Sequence, residues 1–107
     1  MPVRLQKPWH EISEIDDLLK GQMGVYQLAN VTEEILYIGY AGGKSLYGLK
    51  GEVRAQAELV PDAAKFRVEV TTAYLSRFRE LMMIHHADHD AYPEYNPDIK
   101  LGRLSAE

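Results

Sequence analysis

The stretch GVYQLANVTEEILYIGYAGG, Gly24 to Gly43, constrains the fold more than any other part of the chain. It reads as two short strands, roughly 24–29 and 34–40, joined by the turn-like Asn30-Val31-Thr32-Glu33. A β-hairpin at this position commits the rest of the chain to building around an antiparallel sheet. Each strand sets a tyrosine beside a glycine, as Gly24-Val25-Tyr26 and Tyr37-Ile38-Gly39. A hairpin centred between Val31 and Thr32 puts Tyr26 directly opposite Tyr37, with Gly39 and Gly24 on the same face. A five-residue loop would shift the register by one and separate the two phenols. Small residues beside two phenols leave room for another group to approach. Taken alone, the pair is an aromatic cross-strand contact worth ~0.2–1 kcal/mol of packing. With seven tyrosines in the chain, packing is its simpler account.

The remaining segments fit around that hairpin. Residues 1–10 hold two prolines and no period, which reads as an extended arm. In EISEIDDLLKG, Ile12, Ile15, Leu18 and Leu19 fall at helical spacing, with Gly21 as the stop. These residues need burial, and the expectation is that they cover the sheet face away from the tyrosines. A glycine-rich connection, AGGKSLYG, leads to a helix marked by Leu46, Leu49, Val53, Ala57 and Val60 and ended by Pro61. KFRVEVTTA alternates Phe66, Val68 and Val70 with polar residues, a half-buried strand. In the last helix Tyr74, Phe78, Leu81 and His85 share one face, and AYPEYNPD breaks it. The fold class is α/β of the α+β type: a small three-stranded, mainly antiparallel sheet flanked by helices. The chain reads as one domain, 1–107, with a core at 22–97 and an N-terminal arm and helix at 1–21.

Composition narrows the classes. A chain of 107 residues, 46% hydrophobic and 26% charged, is globular rather than disordered. No apolar run reaches the ~18 residues of a membrane span, and no leader segment opens the chain, so the expectation is a cytoplasmic protein without a membrane partner. The absence of cysteine excludes disulfides, thiolate metal sites and cysteine nucleophiles. A net charge of −4 argues against tight non-specific DNA binding. The middle of the chain is nevertheless net basic, with Lys44, Lys50, Arg54, Lys65, Arg67, Arg77 and Arg79 against Glu52, Glu58, Asp62 and Glu69.

The order of motifs resembles the GIY-YIG nuclease superfamily. Gly24-Val25-Tyr26 matches its first strand and Tyr37-Ile38-Gly39 its second. Arg54, on the following helix, matches its arginine; Glu80, in RFRELMMIHH, matches its metal-binding glutamate. Asn96, in YPEYN, matches the asparagine that follows a proline. The resemblance covers about residues 22–97. Arg54 stands fifteen residues after Gly39, and YAGGKSLYG reads as an insertion, so Lys44 or Lys50 could share the arginine's work.

That resemblance implies a metal-dependent endonuclease that hydrolyses DNA, structured or single-stranded. Glu80 would hold a magnesium or manganese ion, hard cations that take carboxylate and water oxygens. Arg54 would steady charge building on the phosphate. Tyr26 would take the proton from the attacking water, although a phenol near pKa ~10 needs help to ionise. Tyr37 would orient the phosphate or water. Gly39, Lys44, Lys50 and Asn96 would line the substrate site, with Asn96 fixing its geometry. No appended DNA-binding module is recognisable, so a homodimer or partner protein would supply specificity. The alternative is a member of the same fold, inactive in catalysis, that binds nucleic acid or serves as a complex subunit. A third possibility, tyrosines used only for packing in an unrelated protein, requires Glu80 to point away from them. His85, His86 and His89 suggest a zinc cluster less than they suggest solvated side chains at a helix end.

Overall fold

The computed structural model describes residues 4–43, 45 and 47–96. In chain order the elements are β1 (His10–Glu11), a 3₁₀ turn (Ile12–Glu14), α1 (Ile15–Leu18), β2 (Gly24–Ala29), β3 (Ile35–Ala41), α2 (Gly48–Leu59), β4 (Lys65–Val70) and α3 (Tyr74–His89). The architecture is α+β, an antiparallel four-stranded sheet in the order β1-β4-β2-β3 with helices on both faces. The sequence reading has three strands. The fourth, β1, pairs only His10 with Phe66 and Glu11 with Lys65, and two residues carry no period to read. β2 lies between β3 and β4 and all six of its residues are buried, as expected for a strand covered on both faces.

The hairpin register differs from the expected one. Tyr26 pairs with Gly39 and Leu28 with Tyr37, and the register shifts between Leu28 and Ala29. The turn is longer than two residues because Asn30 organises it. Its Oδ1 accepts from the Thr32 and Glu34 amides, each at 3.0 Å, while its own amide donates to the Glu34 carbonyl at 3.1 Å. Glu33 takes the left-handed conformation, φ 67°, that closes the loop. Relative to a two-residue turn, the Tyr26 pairing moves by two residues. An even shift preserves faces, so the tyrosines sit diagonally on one face instead of directly opposite.

Alternation along β2 divides the core. Tyr26 and Leu28 join Ile15, Leu19, Leu49, Val53 and Phe66 beneath α1 and α2. Val25 joins Ile38, Leu81, Met82 and Leu5 beneath α3, with Tyr74 and Phe78 packed against them. The N-terminal helix therefore covers the tyrosine face, contrary to the sequence expectation. The cause is β1: Leu5 lies on the α3 side, the chain pairs along the outer edge of β4, and Ile12 then donates to the Ala64 carbonyl at 3.1 Å. The arm wraps around the sheet edge. The helix is also shorter than read, since Leu19 turns extended (φ −107°, ψ 150°).

α2 begins where Gly48 (φ +60°) touches the backbone of Gly21, and a Cβ there would lie 2.3 Å from the Gly21 carbonyl carbon. The amides of Leu49 and Lys50 donate to the carbonyls of Gln22 (2.8 Å) and Lys20 (3.0 Å), which satisfies N-terminal groups that have no partner inside the helix. α2 ends just before Val60-Pro61, as the sequence indicates. No helix among the described residues is long and apolar enough to cross a membrane.

Candidate functional site

β2 and β3 bring Tyr26 and Tyr37 together, ring centroids 6.0 Å apart. Gly39 makes this possible. A Cβ there would lie 2.5 Å from both Cζ and the hydroxyl of Tyr26 and 2.8 Å from Cε2 of Tyr37. Tyr26 is 1% exposed, while Tyr37 is half-buried at the edge of the same face. Burial pushes the Tyr26 phenol far above its ordinary range, aided by the charges of Tyr37 and Glu52. Burial also raises Tyr37. The neighbouring hydroxyl adds to the rise at Tyr26 and offsets part of it at Tyr37.

Glu52 is the carboxylate that acts on both phenols, and sequence reasoning passed over it. It is half-buried on α2, three residues after buried Leu49 and next to buried Val53. An acid bordering the apolar stripe of a helix that follows the hairpin was the signal available.

Arg54 and Lys50 also sit on α2, at its rim. Arg54 pairs with Asp16, and Lys50 approaches the same carboxylate at 3.9 Å. Their side chains are 49% and 40% exposed. The partner of Arg54 is therefore Asp16 rather than Glu58 one turn on, because α1 and α2 pack together on this face. Lys44 lies outside the described residues.

Asn96 is fastened to β3. Its Oδ1 accepts from the Ile38 amide at 2.8 Å, and its Nδ2 donates to the Ile38 carbonyl at 2.9 Å. The Tyr95 amide donates to the Leu36 carbonyl at 3.0 Å. β3 is an edge strand, so this segment supplies the partner that its outer backbone groups lack. Asn96 thus fixes the strand that carries Tyr37 and Gly39.

Glu80 stands elsewhere. It lies on α3, against the opposite face of the sheet, where it accepts a hydrogen bond from Arg77 Nη1. The same guanidinium donates through Nε and Nη2 to both Glu69 oxygens, each at 3.1 Å. The Arg77 side chain is only 12% exposed, so the expected surface i,i+3 contact is instead a half-buried bridge from helix to strand. Sequence spacing sees the helix pair but not Glu69. A guanidinium holds Oε1 of Glu80 and no tyrosine of the pair shares its face, so a magnesium ion held there would stand on the other side of the sheet from the tyrosine pair. The histidines form no ligand set either: the His85 ring lies tilted against His89, centroids 4.3 Å apart, and its Nδ1 bonds the Ala91 carbonyl at 2.9 Å. Among the described residues no three acidic or histidine side chains gather as a metal set.

Residues 1–88 match the family described as Domain of unknown function (DUF7508), and the chain belongs to that family. No curated protein gives a significant match.

Proposed function

We propose that this member of the DUF7508 family is a GIY-YIG-type nuclease domain whose tyrosine face receives and hydrolyses a DNA phosphodiester. The supporting observation is the convergence of Tyr26 and Tyr37 over Gly39, on a strand that Asn96 holds in place. Tyr26, buried and strongly resistant to ionisation, positions its neighbour and is a poor proton acceptor. Tyr37, half-buried beside it, keeps its own proton and donates a hydrogen bond to a phosphate oxygen as charge develops there. Glu52, the acid that acts on both phenols, is the group able to take the proton from an attacking water, and as the P–O bond opposite breaks the departing alkoxide takes its proton from solvent. Lys50 and Arg54 are exposed at the rim and meet the DNA backbone there. The reading places the protein in the cytoplasm, working with a second copy or a partner protein for specificity.

One observation favours a second reading, in which the domain binds DNA without cutting it: Glu80 is committed to Arg77 behind the sheet. Labelled single strands, duplexes, flaps and branched DNAs incubated with magnesium, manganese or chelator separate the two. Cutting that is lost in Tyr37→Phe and Glu52→Gln but kept in Glu80→Gln supports the nuclease and its site. Loss of cutting in a folded Glu80→Gln moves the chemistry to the other face. Binding without cutting supports the second reading, and neither binding nor cutting sinks both.

A further inference from the structure

On the sheet face away from the tyrosines, a cleft of about 430 Å³ opens between the N-terminal arm and the C-terminal half of α3. Arg67 of β4 lies at its base. The guanidinium sits 4.2 Å over the Trp9 ring, donates from Nε to the Gln27 side-chain oxygen at 2.7 Å, and reaches the Lys7 carbonyl with Nη1 at 3.5 Å. Gln27 is 3% exposed, on the central strand, so Arg67 is held from the interior of the sheet. All three groups are uncharged, and among the described residues no carboxylate is within ion-pair distance of Arg67; Glu33 acts on it only from farther away and is itself paired with Lys65 at 2.9 Å. A partly buried charge in that condition is under-compensated.

The acid that lines the cleft does not supply the compensation. Asp88 is bound by Arg4, at 2.5 Å to Nη2 and 3.2 Å to Nε. Lys7 adds a further cation on the arm. Between these charges the lining is mixed, and its accessible apolar part comes from the half-buried Ile35 and Ile84, with Leu5 and Leu81 buried behind them. His85 completes the rim. Its Nδ1 donates to Ala91, and burial lowers its pKa, which keeps it neutral near pH 7 and leaves Nε2 as an acceptor.

We propose that this cleft binds a phosphate monoester carried on a flat or apolar body, the chemistry of a nucleoside monophosphate or of the 5′-phosphorylated end of a strand. Arg67 and Lys7 take the phosphate, and a planar guanidinium is suited to paired phosphate oxygens. The body lies against Ile35 and Ile84, where its hydroxyls or ring donors meet His85. The inference stands on a different face from the tyrosine site and holds whether or not the protein cuts DNA.

Trp9 is the chain's one tryptophan and touches Arg67, so its fluorescence reports the occupant directly. The full chain is titrated with adenosine monophosphate, adenosine, inorganic phosphate, and a short oligonucleotide with and without a 5′-phosphate. Saturable changes with the monophosphate are expected, with adenosine and Lys7→Gln each weaker by about tenfold, the loss expected for one charge-assisted contact. Arg67→Gln should weaken it further. Lys7 is exposed, so its variant remains informative if Arg67→Gln fails to fold. Tighter binding of the phosphorylated strand end than of the free nucleotide identifies nucleic acid as the source, and the reverse identifies a free nucleotide. Equal binding of adenosine and its monophosphate, or no saturable change in fluorescence and in amide chemical shifts around the cleft, overturns the proposal.

Discussion

The two faces of the sheet share strands but treat polar groups in opposite ways. On the tyrosine face, the polar group sealed inside is neutral: burial keeps the proton on Tyr26, and the charged Arg54–Asp16 pair stays at the solvent edge. On the α3 face, charge is drawn inward. Arg77 is nearly sealed between Glu69 and Glu80, and Arg67 is anchored by Gln27 and Trp9. The first face should therefore respond to changes of volume and the second to changes of charge.

The largest effect tests volume. Gly39→Ala forces a methyl to 2.5 Å from a phenol ring that is closed in on all sides. Overpacking of this kind costs about 2–3 kcal/mol, which lowers Tm by more than about 10 °C in a domain of this size. Gly43→Ala, just beyond the end of β3, meets nothing within 4 Å and should melt like the parent. Equal melting of the two variants would break the account of the tyrosine face.

Charge is tested next. Arg77→Met removes the cation shared by two carboxylates whose side chains are 28% and 33% exposed. Removing one partner of a fully buried pair costs about 3–5 kcal/mol, and the partial solvation here brings the expectation to about 2 kcal/mol. Adding Glu69→Gln should recover part of that loss, since the two positions are coupled. Chemical denaturation of the single and double variants reads both effects. Strict additivity would mean that the bridge is an ordinary surface contact.

What could be read from the sequence divides along the same line. The strand ends of the hairpin, the stop at Pro61 and the apolar face of α3 carry their own periods, and each lies within a residue or two of its reading. So does the shared face of the tyrosines, because it depends only on parity. The lost details are those set by a particular side chain's hydrogen bonds or by partners on another element, which no period reveals. Asn30 lengthened the turn through its own side chain, β1 steered the arm around β4, and Glu69 took Arg77 from the other side of a loop. For the site, the tyrosine pair, Gly39 and Asn96 could be placed together. Glu80 could not, since a helix period tells which residues share a face but not which side of a sheet that helix will cover.

A smaller effect comes from pH. Tyr26 is held neutral in the folded chain by burial, so the unfolded chain loses its phenolic proton first as pH rises through about 10. The folded state then holds more protons than the unfolded one, and stability falls with rising pH by up to about 1.4 kcal/mol per pH unit from this group. Tyr26→Phe removes that dependence while giving up the hydroxyl's polar contact beside Tyr37, about 1 kcal/mol at neutral pH. The two proteins should converge in Tm above about pH 10. Parallel curves would show that the hydroxyl is reached by solvent.

The smallest expected stability change carries the most information about function. Asp16→Asn frees Arg54 and Lys50 from an exposed carboxylate, and pairs of this kind contribute no more than about 0.5 kcal/mol. If the rim of α2 meets a DNA backbone, Asp16 competes with phosphate for both cations. The Asp16→Asn protein should then bind DNA more tightly than the parent, and its affinity should fall more steeply with salt, by about 0.9 in log–log slope for each additional phosphate neutralised. Arg54→Gln should move both quantities the other way. A variant that leaves folding untouched and shifts affinity together with the salt slope would tie the tyrosine face to nucleic acid through charge alone.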